Sequence, residues 1–581
     1  MGNKRSKLVL LIILVIFLVI VPLIAVMNMK PSKPPKIHGK RAIVVSIRGE
    51  LLDYPGPFSP GLIFGKRPVT VTDIVECLDR ASGDKNIKAL VLKLYPVAAG
   101  VAKCEEIEDA VKRFKNSGKD VYAFSPLIYG YEYLIASAAD SVFMPPSGYL
   151  LIPGVASSAT FFKGTFDKLG IKPNFHRIER YKSAPEMYTE KSRTAPSREM
   201  TDWLLKDIYN NLVSSIAENR SVDRNKVKAW IDRAIYSPAT AADYGLIDRV
   251  KHWDEIADSF KKRQITMISL SRYMAETRRS PLLSGEKIAV VHAQGVIAMG
   301  RSGFDLPYGS RMGSESVMRE LRRVREDGTV KAVVLRVDSP GGDANASDMI
   351  SREVEITRKV KPVVVSMSDV AASGGYEISF RANKIVAMPG TLTGSIGSFL
   401  GKFNMKGFYD KIGMTKDEMA YGEKALMFSD YRDFSPAEWK AIKEEHWKFY
   451  RHWIAEVARY RRMSVARVDS LGRGRVWMGD QALANGLIDE LGGLDRAIAI
   501  ARDLAGIKDS TKVSVVHYPG TMSYLKELFS RDSIDDLILY NLYRVLNRKE
   551  ESPAVFMRMM NYGGTERTGL RQRAIELLLD R

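Results

Sequence analysis

Residues 330–343 read VKAVVLRVDSPGGD, and residues 87–100 read IKALVLKLYPVAAG. Each opens on a short apolar run rich in Val, Leu and Ile, the pattern of a strand buried on both faces. The two stretches lie 243 residues apart, and the match extends well beyond them. RAIVVSIRGEL (41–51) resembles KIAVVHAQGVI (287–297), FKGTFDKLGI (162–171) resembles MKGFYDKIGM (405–414), and YGLIDRV (244–250) resembles NGLIDEL (485–491), at offsets of 246, 243 and 241 residues. Segments kept in one order at near-constant spacing identify a duplicated domain. Helical stretches such as SESVMRELRRVRED (314–327) separate the apolar runs. Alternating strands and helices predict a parallel-rich α/β layer structure for each copy. A long helix is predicted over 435–462, with Ser435 as N-cap and Pro436 at its first position, and 197–220 is its counterpart.

The chain has 581 residues, 45% of them hydrophobic and 27% charged, an ordinary globular composition with room for two or more domains. Cys77 and Cys104 are too few for a disulfide framework or a four-ligand zinc site and read as small buried residues. The net charge is +20, and eight of those charges sit in residues 1–41, which hold no Asp or Glu. Elsewhere no dense basic run is interleaved with aromatics, so no nucleic-acid partner is expected. LVLLIILVIFLVIVPLIAVM (8–27) carries no charge. At about 1.5 Å per residue it crosses a hydrocarbon core of about 30 Å. With no convincing cleavage site after it, it reads as an uncleaved single-pass anchor in membrane lipid. Basic residues on both flanks leave its orientation open. The expected organisation is an anchor (1–29), a stiff Pro-rich spacer (30–40), a first repeat (41–285), a second repeat (286–505) and an unassigned tail (506–581).

Duplicates that share a fold need not share chemistry. In register, AASGGY (371–376) of the second repeat faces IYGYEY (128–133) of the first, and Gly130 takes the place of Ser373. Pro340-Gly341-Gly342 faces Val97-Ala98-Ala99. A serine and a diglycine loop thus occur together in one copy and are both absent from the other. Both suit acyl transfer: a serine nucleophile, and a backbone that can approach closely and offer N–H donors to an oxyanion, including that of Gly374. Alone, each also fits a plain turn or helix start.

The base is harder to find. None of the seven histidines lies in an evident triad context. A lysine serves if burial lowers its pKa from about 10.4 towards neutrality. HRIERYKSAPEMYTEKSR (176–193) offers Lys182, and its counterpart EMAYGEKALMFSD (418–430) offers Glu423 in register and Lys424 one place away. The residues alone do not choose among them.

RYKSAPEMYT (180–189), RVDSPGGDANAS (336–347), DVAASGGYEIS (369–379) and GTLTGSIG (390–397) together resemble the long form of the bacterial signal peptide peptidase A family, also called protease IV. The resemblance runs from the membrane segment to about residue 505. It implies a tandem of two domains related to the Clp protease and crotonase fold, preceded by one transmembrane helix. It implies a serine peptidase with Ser373 as nucleophile and Lys182 as general base, and with Ser395 orienting the lysine. Gly341, Gly342 and Gly374 would form the oxyanion region. It implies peptide substrates, cleaved signal peptides among them, no metal or organic cofactor, a homotetramer, and a catalytic body on the extracytoplasmic side of the cell (inner) membrane. A crotonase-like acyl-CoA enzyme and a non-enzymatic membrane scaffold are the competing expectations.

Overall fold

The computed structural model describes residues 39–55, 68–277, 285–305, 309–508, 511 and 513–520. The apolar segment 8–27 and nearly all of the spacer lie outside the described residues. Among the described residues no helix is long and apolar enough to cross a membrane.

Each repeat is built on a parallel sheet of the apolar runs. In the first, the strand order is Thr266–Ser269, Arg41–Glu50, Ile87–Ala98, Asp120–Phe124, Ser141–Met144, Arg249–Val250, and every neighbouring pair is parallel. In the second, Val513–Tyr518, Glu286–Gln294, Val330–Ser339 and Val363–Ala372 follow the same order. There the last strand forks. Its first half pairs with Lys384–Ala387 and its end with Leu392–Gly394.

The duplication reaches single hydrogen bonds. The first two long strands skip register at the same place in both copies, between Arg41 and Ala42 and between Lys287 and Ile288. The Tyr133 hydroxyl donates to Leu246 O at 2.7 Å, and that of Tyr376 to Leu487 O at 2.9 Å. Asp248 accepts from Val142 N and pairs with Arg220; Asp489 accepts from Ile385 N and pairs with Arg461.

The boundary expected at 505 falls short. Val513–Tyr518 lies parallel to Glu286–Gln294 just as Thr266–Ser269 lies parallel to Arg41–Glu50. This piece of the supposed tail is the closing strand of the second repeat. Strand pairing fixes its place through backbone groups, which leave little trace in side-chain similarity.

The long helices form as expected. Pro436–Arg461 is capped by Ser435, whose hydroxyl accepts from Glu438 N, while Ala195–Asn219 begins two residues before the expected start, capped by Thr194. Each repeat has its own apolar core. A smaller cluster, Phe166, Ile171, Met405 and Tyr409, is shared between them.

Candidate active site

The second repeat supplies one half of the site at the end of Val363–Ala372. This strand has no polar residue in its first three positions and is buried over most of its length. It stops at Ser373, where the short helix Gly374–Glu377 begins. Ser373 stands at the helix N-cap position, but its hydroxyl makes no capping hydrogen bond. Its backbone has φ 55° and ψ −118°, a conformation that costs a non-glycine residue about 1–3 kcal/mol. The Ser373 N–H donates to Gly394 O at 2.8 Å, which ties the strained residue to the next strand.

The first repeat supplies the other half on an arm. Lys172–Arg177 leaves its own repeat and pairs antiparallel with Phe399–Asn404 of the second. Ile178 N then donates to Ser398 O and Tyr181 N to Arg473 O. Phe175 and Tyr188 of the arm pack on Phe403. The Arg475 guanidinium lies over the Tyr181 ring at 4.0 Å. The chain that follows Tyr181 is thereby pressed into the second repeat, and Lys182 is buried there.

The Lys182 Nζ lies 2.9 Å from Ser373 Oγ, 3.0 Å from Ser395 Oγ and 3.2 Å from Ser395 O. No carboxylate is among these partners. Burial pulls the lysine pKa down from its usual value to about 7, with no charge opposing the shift. Ser395 is itself held in a left-handed conformation, φ 51°, by its N–H donating to Arg475 O at 2.7 Å.

The diglycine loop closes against the serine. Ile297 N donates to Gly341 O, and Asp343 N to Ile297 O, both at 2.9 Å. The N–H of Gly341 donates to Ser339 Oγ at 3.2 Å, so it is engaged within the loop. Among the described residues no protein acceptor takes the N–H of Gly342 or of Gly374, which leaves these two as uncommitted donors. Gly341 contributes closeness instead: at φ 101°, a Cβ there would stand 2.7 Å from Gly374 N and 2.9 Å from Ser373 Cβ.

The structure thus brings together Ser373, Lys182, Ser395, Gly341, Gly342 and Gly374. Glu423 and Lys424, the alternatives in the second repeat, are exposed on its own arm. No histidine ring hydrogen-bonds Ser373 among the described residues. His446 instead meets His176 Nδ1 at 2.8 Å and Ser398 Oγ at 2.6 Å, fastening the arm to the long helix. One participant had no sequence signal. Gly474, at φ 78°, lets the backbone of Lys182 approach so closely that a Cβ would meet Lys182 N at 2.4 Å.

The family profile of Peptidase family S49 matches residues 113–266 and 355–508, one segment in each repeat. The chain belongs to peptidase family S49. It is a serine peptidase of the signal peptide peptidase type. Its relatives include the chloroplastic serine protease SPPA of Arabidopsis thaliana, 33% identical, with 84% of this chain and 72% of that protein covered. Protease 4 of Haemophilus influenzae is also 33% identical, over 77% of this chain and 75% of the relative.

Proposed function

We propose that the chain is a membrane-anchored endopeptidase that works through a Ser373–Lys182 dyad split between its repeats. The supporting observation is the 2.9 Å approach of a buried lysine, with a pKa near 7, to the hydroxyl of a strained serine. Neutral Lys182 directs two N–H groups at Ser395 Oγ and Ser395 O, and its lone pair takes the Ser373 hydroxyl proton as Oγ attacks a peptide carbonyl. The N–H groups of Gly342 and Gly374 bind the developing oxyanion. The lysine returns the proton to the leaving amine, and an acyl-enzyme remains on Ser373. A water, deprotonated by Lys182, then hydrolyses the ester and restores the serine. The kinship with Clp protease and crotonase is part of the same reading and rests on the motif resemblance.

Residues 8–27 provide the anchor in the cell membrane, and the family resemblance sets the catalytic body on its extracytoplasmic face. Short apolar peptides left at that membrane, cleaved signal peptides foremost, are the substrates such an enzyme meets. Self-association is supported by two unfilled surfaces. The arm of the second repeat exposes Met419, Tyr421 and Phe428, while the matching face of the first repeat exposes Tyr129, Tyr149 and Ile235. Within the chain, the equivalent arm and face are joined. Arm-to-face contact between copies is heterologous and closes into a ring if its rotation permits, four members in the homotetramer of the resemblance.

The test is cleavage of a synthetic apolar signal peptide by the full chain in detergent, followed by mass spectrometry. Wild type produces fragments, while Ser373→Ala and Lys182→Ala do not. Undiminished cleavage by Lys182→Ala overturns the dyad.

A further inference from the structure

The first repeat reaches the second at another point besides the arm. Helix Val101–Asn116 begins at Gly100, and its first turn meets Asp338 and Asp369 on the two strands that lead to Gly341 and Ser373. Its sister in the second repeat, Ala344–Arg358, is capped by its own Asp343, whose carboxylate accepts from Ala346 N. Gly100 has no such side chain. The cap comes instead from Asp369 of the second repeat, which accepts from Gly100 N at 2.8 Å and Lys103 N at 3.0 Å. Only glycine fits: a Cβ at position 100 would lie 2.4 Å from Asp369 Cγ.

Lys103 completes the contact. Its ammonium is buried, 2.8 Å from Asp338 and 3.3 Å from Asp369. Burial opposes its charge, but Asp53, Asp338 and Asp369 hold its pKa above the usual lysine value. The place is a break in the sheet. Strand pairing passes from Val337–Met367 directly to Ser339–Ala371, so Ser368, Asp369 and Val370 bulge opposite Asp338 alone. Asp338 also accepts from Val370 N at 3.2 Å. A bulge beside an active site re-aims the residues that follow it. Here they are Gly341, three places after Asp338, and Ser373, four places after Asp369. The sister positions are Tyr95, Pro126 and, for Lys103, Ala346. Thus the two carboxylates occur only in the repeat with the serine, and their cation only in the other.

We propose that Lys103 is a positioning residue for the nucleophile: by clamping Asp338 and Asp369 it holds the bulge that aims Ser373 and the Gly341–Gly342 loop at each other. The first repeat then contributes two lysines, one to the chemistry and one to its geometry. Without Lys103 two partly buried carboxylates face each other with no cation between them, and the bulge relaxes by carrying Asp369 outward. The proposal rests on the reading of Ser373 as nucleophile.

The test uses the full chain, a chromogenic peptide and a fluorophosphonate that labels reactive serines. Lys103→Met is expected to lower kcat and the labelling rate of Ser373 about ten- to a hundredfold, the scale of an ångström-level misplacement. KM and the pH midpoint of activity stay as in wild type, because Lys182 is untouched, and Lys103→Arg recovers most of the rate. Lys103→Met with kcat within about a factor of two of wild type, or a loss carried wholly by KM, overturns the proposal. If Lys103→Met does not fold, Asp369→Asn decides, since it removes the charge while keeping one of the two oxygens that cap the helix. A folded Asp369→Asn with wild-type kcat overturns the proposal, and a lowered kcat at constant KM supports it. Wild type that is not labelled at Ser373 defeats the dyad itself. Labelled wild type beside an unimpaired Lys103→Met defeats only the positioning role.

Discussion

At one point in the fold the first repeat has Gly130 at φ 74° and the second has Ser373 at φ 55°. The tyrosine three residues after, with its hydrogen bond, is the same in both, while the strand before runs unbroken over Val363–Ala372 in the second repeat and is split into Asp120–Phe124 and Leu127–Tyr129 in the first. Glycine takes this conformation freely, whereas serine is strained in it. A positive φ at this point is therefore common to the copies, and the side chain placed on it is not. A strained serine was accepted only where a lysine from the sister repeat meets it. The specialisation is reciprocal: the first repeat keeps the lysine and lacks the serine, while the second keeps the serine and leaves its own arm, with Glu423 and Lys424, exposed.

The strongest way to break this comparison is to remove either half. Ser373→Ala and Lys182→Met should each lower peptidase kcat by about 10⁴-fold or more, and the double variant should cost little beyond either single one, as for groups that act as a unit. Additive losses would separate the two residues. Grafting the serine onto the sister position is the converse test. Gly130→Ser in a Ser373→Ala background should remain inactive and unlabelled by a fluorophosphonate, since no buried lysine faces position 130.

The next effect is steric. Gly341→Ala sets a methyl 2.7 Å from Gly374 N, across the space of an oxyanion. Steady-state kinetics should show kcat down by about 10²–10³-fold, the usual cost of a lost oxyanion donor. Ser395→Ala should be milder, about tenfold, because Ser395 O still orients the lysine. The smallest effects are on stability. Thermal melts of Ser373→Gly should show a gain of about 1 kcal/mol, and of Gly130→Ser a similar loss, because nothing but backbone conformation opposes a side chain at position 130. Equal melting temperatures would remove strain from the comparison.

Much of this was legible in the sequence because side chains carried it. The apolar strands, the cap Ser435, the repeat itself and the pairing of serine with diglycine are all visible as residue types in register. Lys182 was legible only as one lysine among many until the family motif singled it out. Its environment comes from Ser395, Arg473, Gly474 and Arg475, which are remote in sequence and act mostly through backbone atoms. The same holds for the closing strand Val513–Tyr518, fixed by ladder hydrogen bonds to Glu286–Gln294. Asp369 capping a helix of the other repeat leaves only a glycine at position 100 as its trace.

The pH dependence of Ser373 acylation tests the split dyad most directly. The lysine must be neutral to accept a proton, and its pKa is lowered to about 7. The labelling rate of Ser373 by a fluorophosphonate should therefore rise with pH through a midpoint near 7 and level off above it. In Lys182→Met both the rate and that pH dependence should vanish. A rate that falls between pH 6 and 8, or an unchanged profile in Lys182→Met, would contradict a base supplied by the first repeat to a nucleophile in the second.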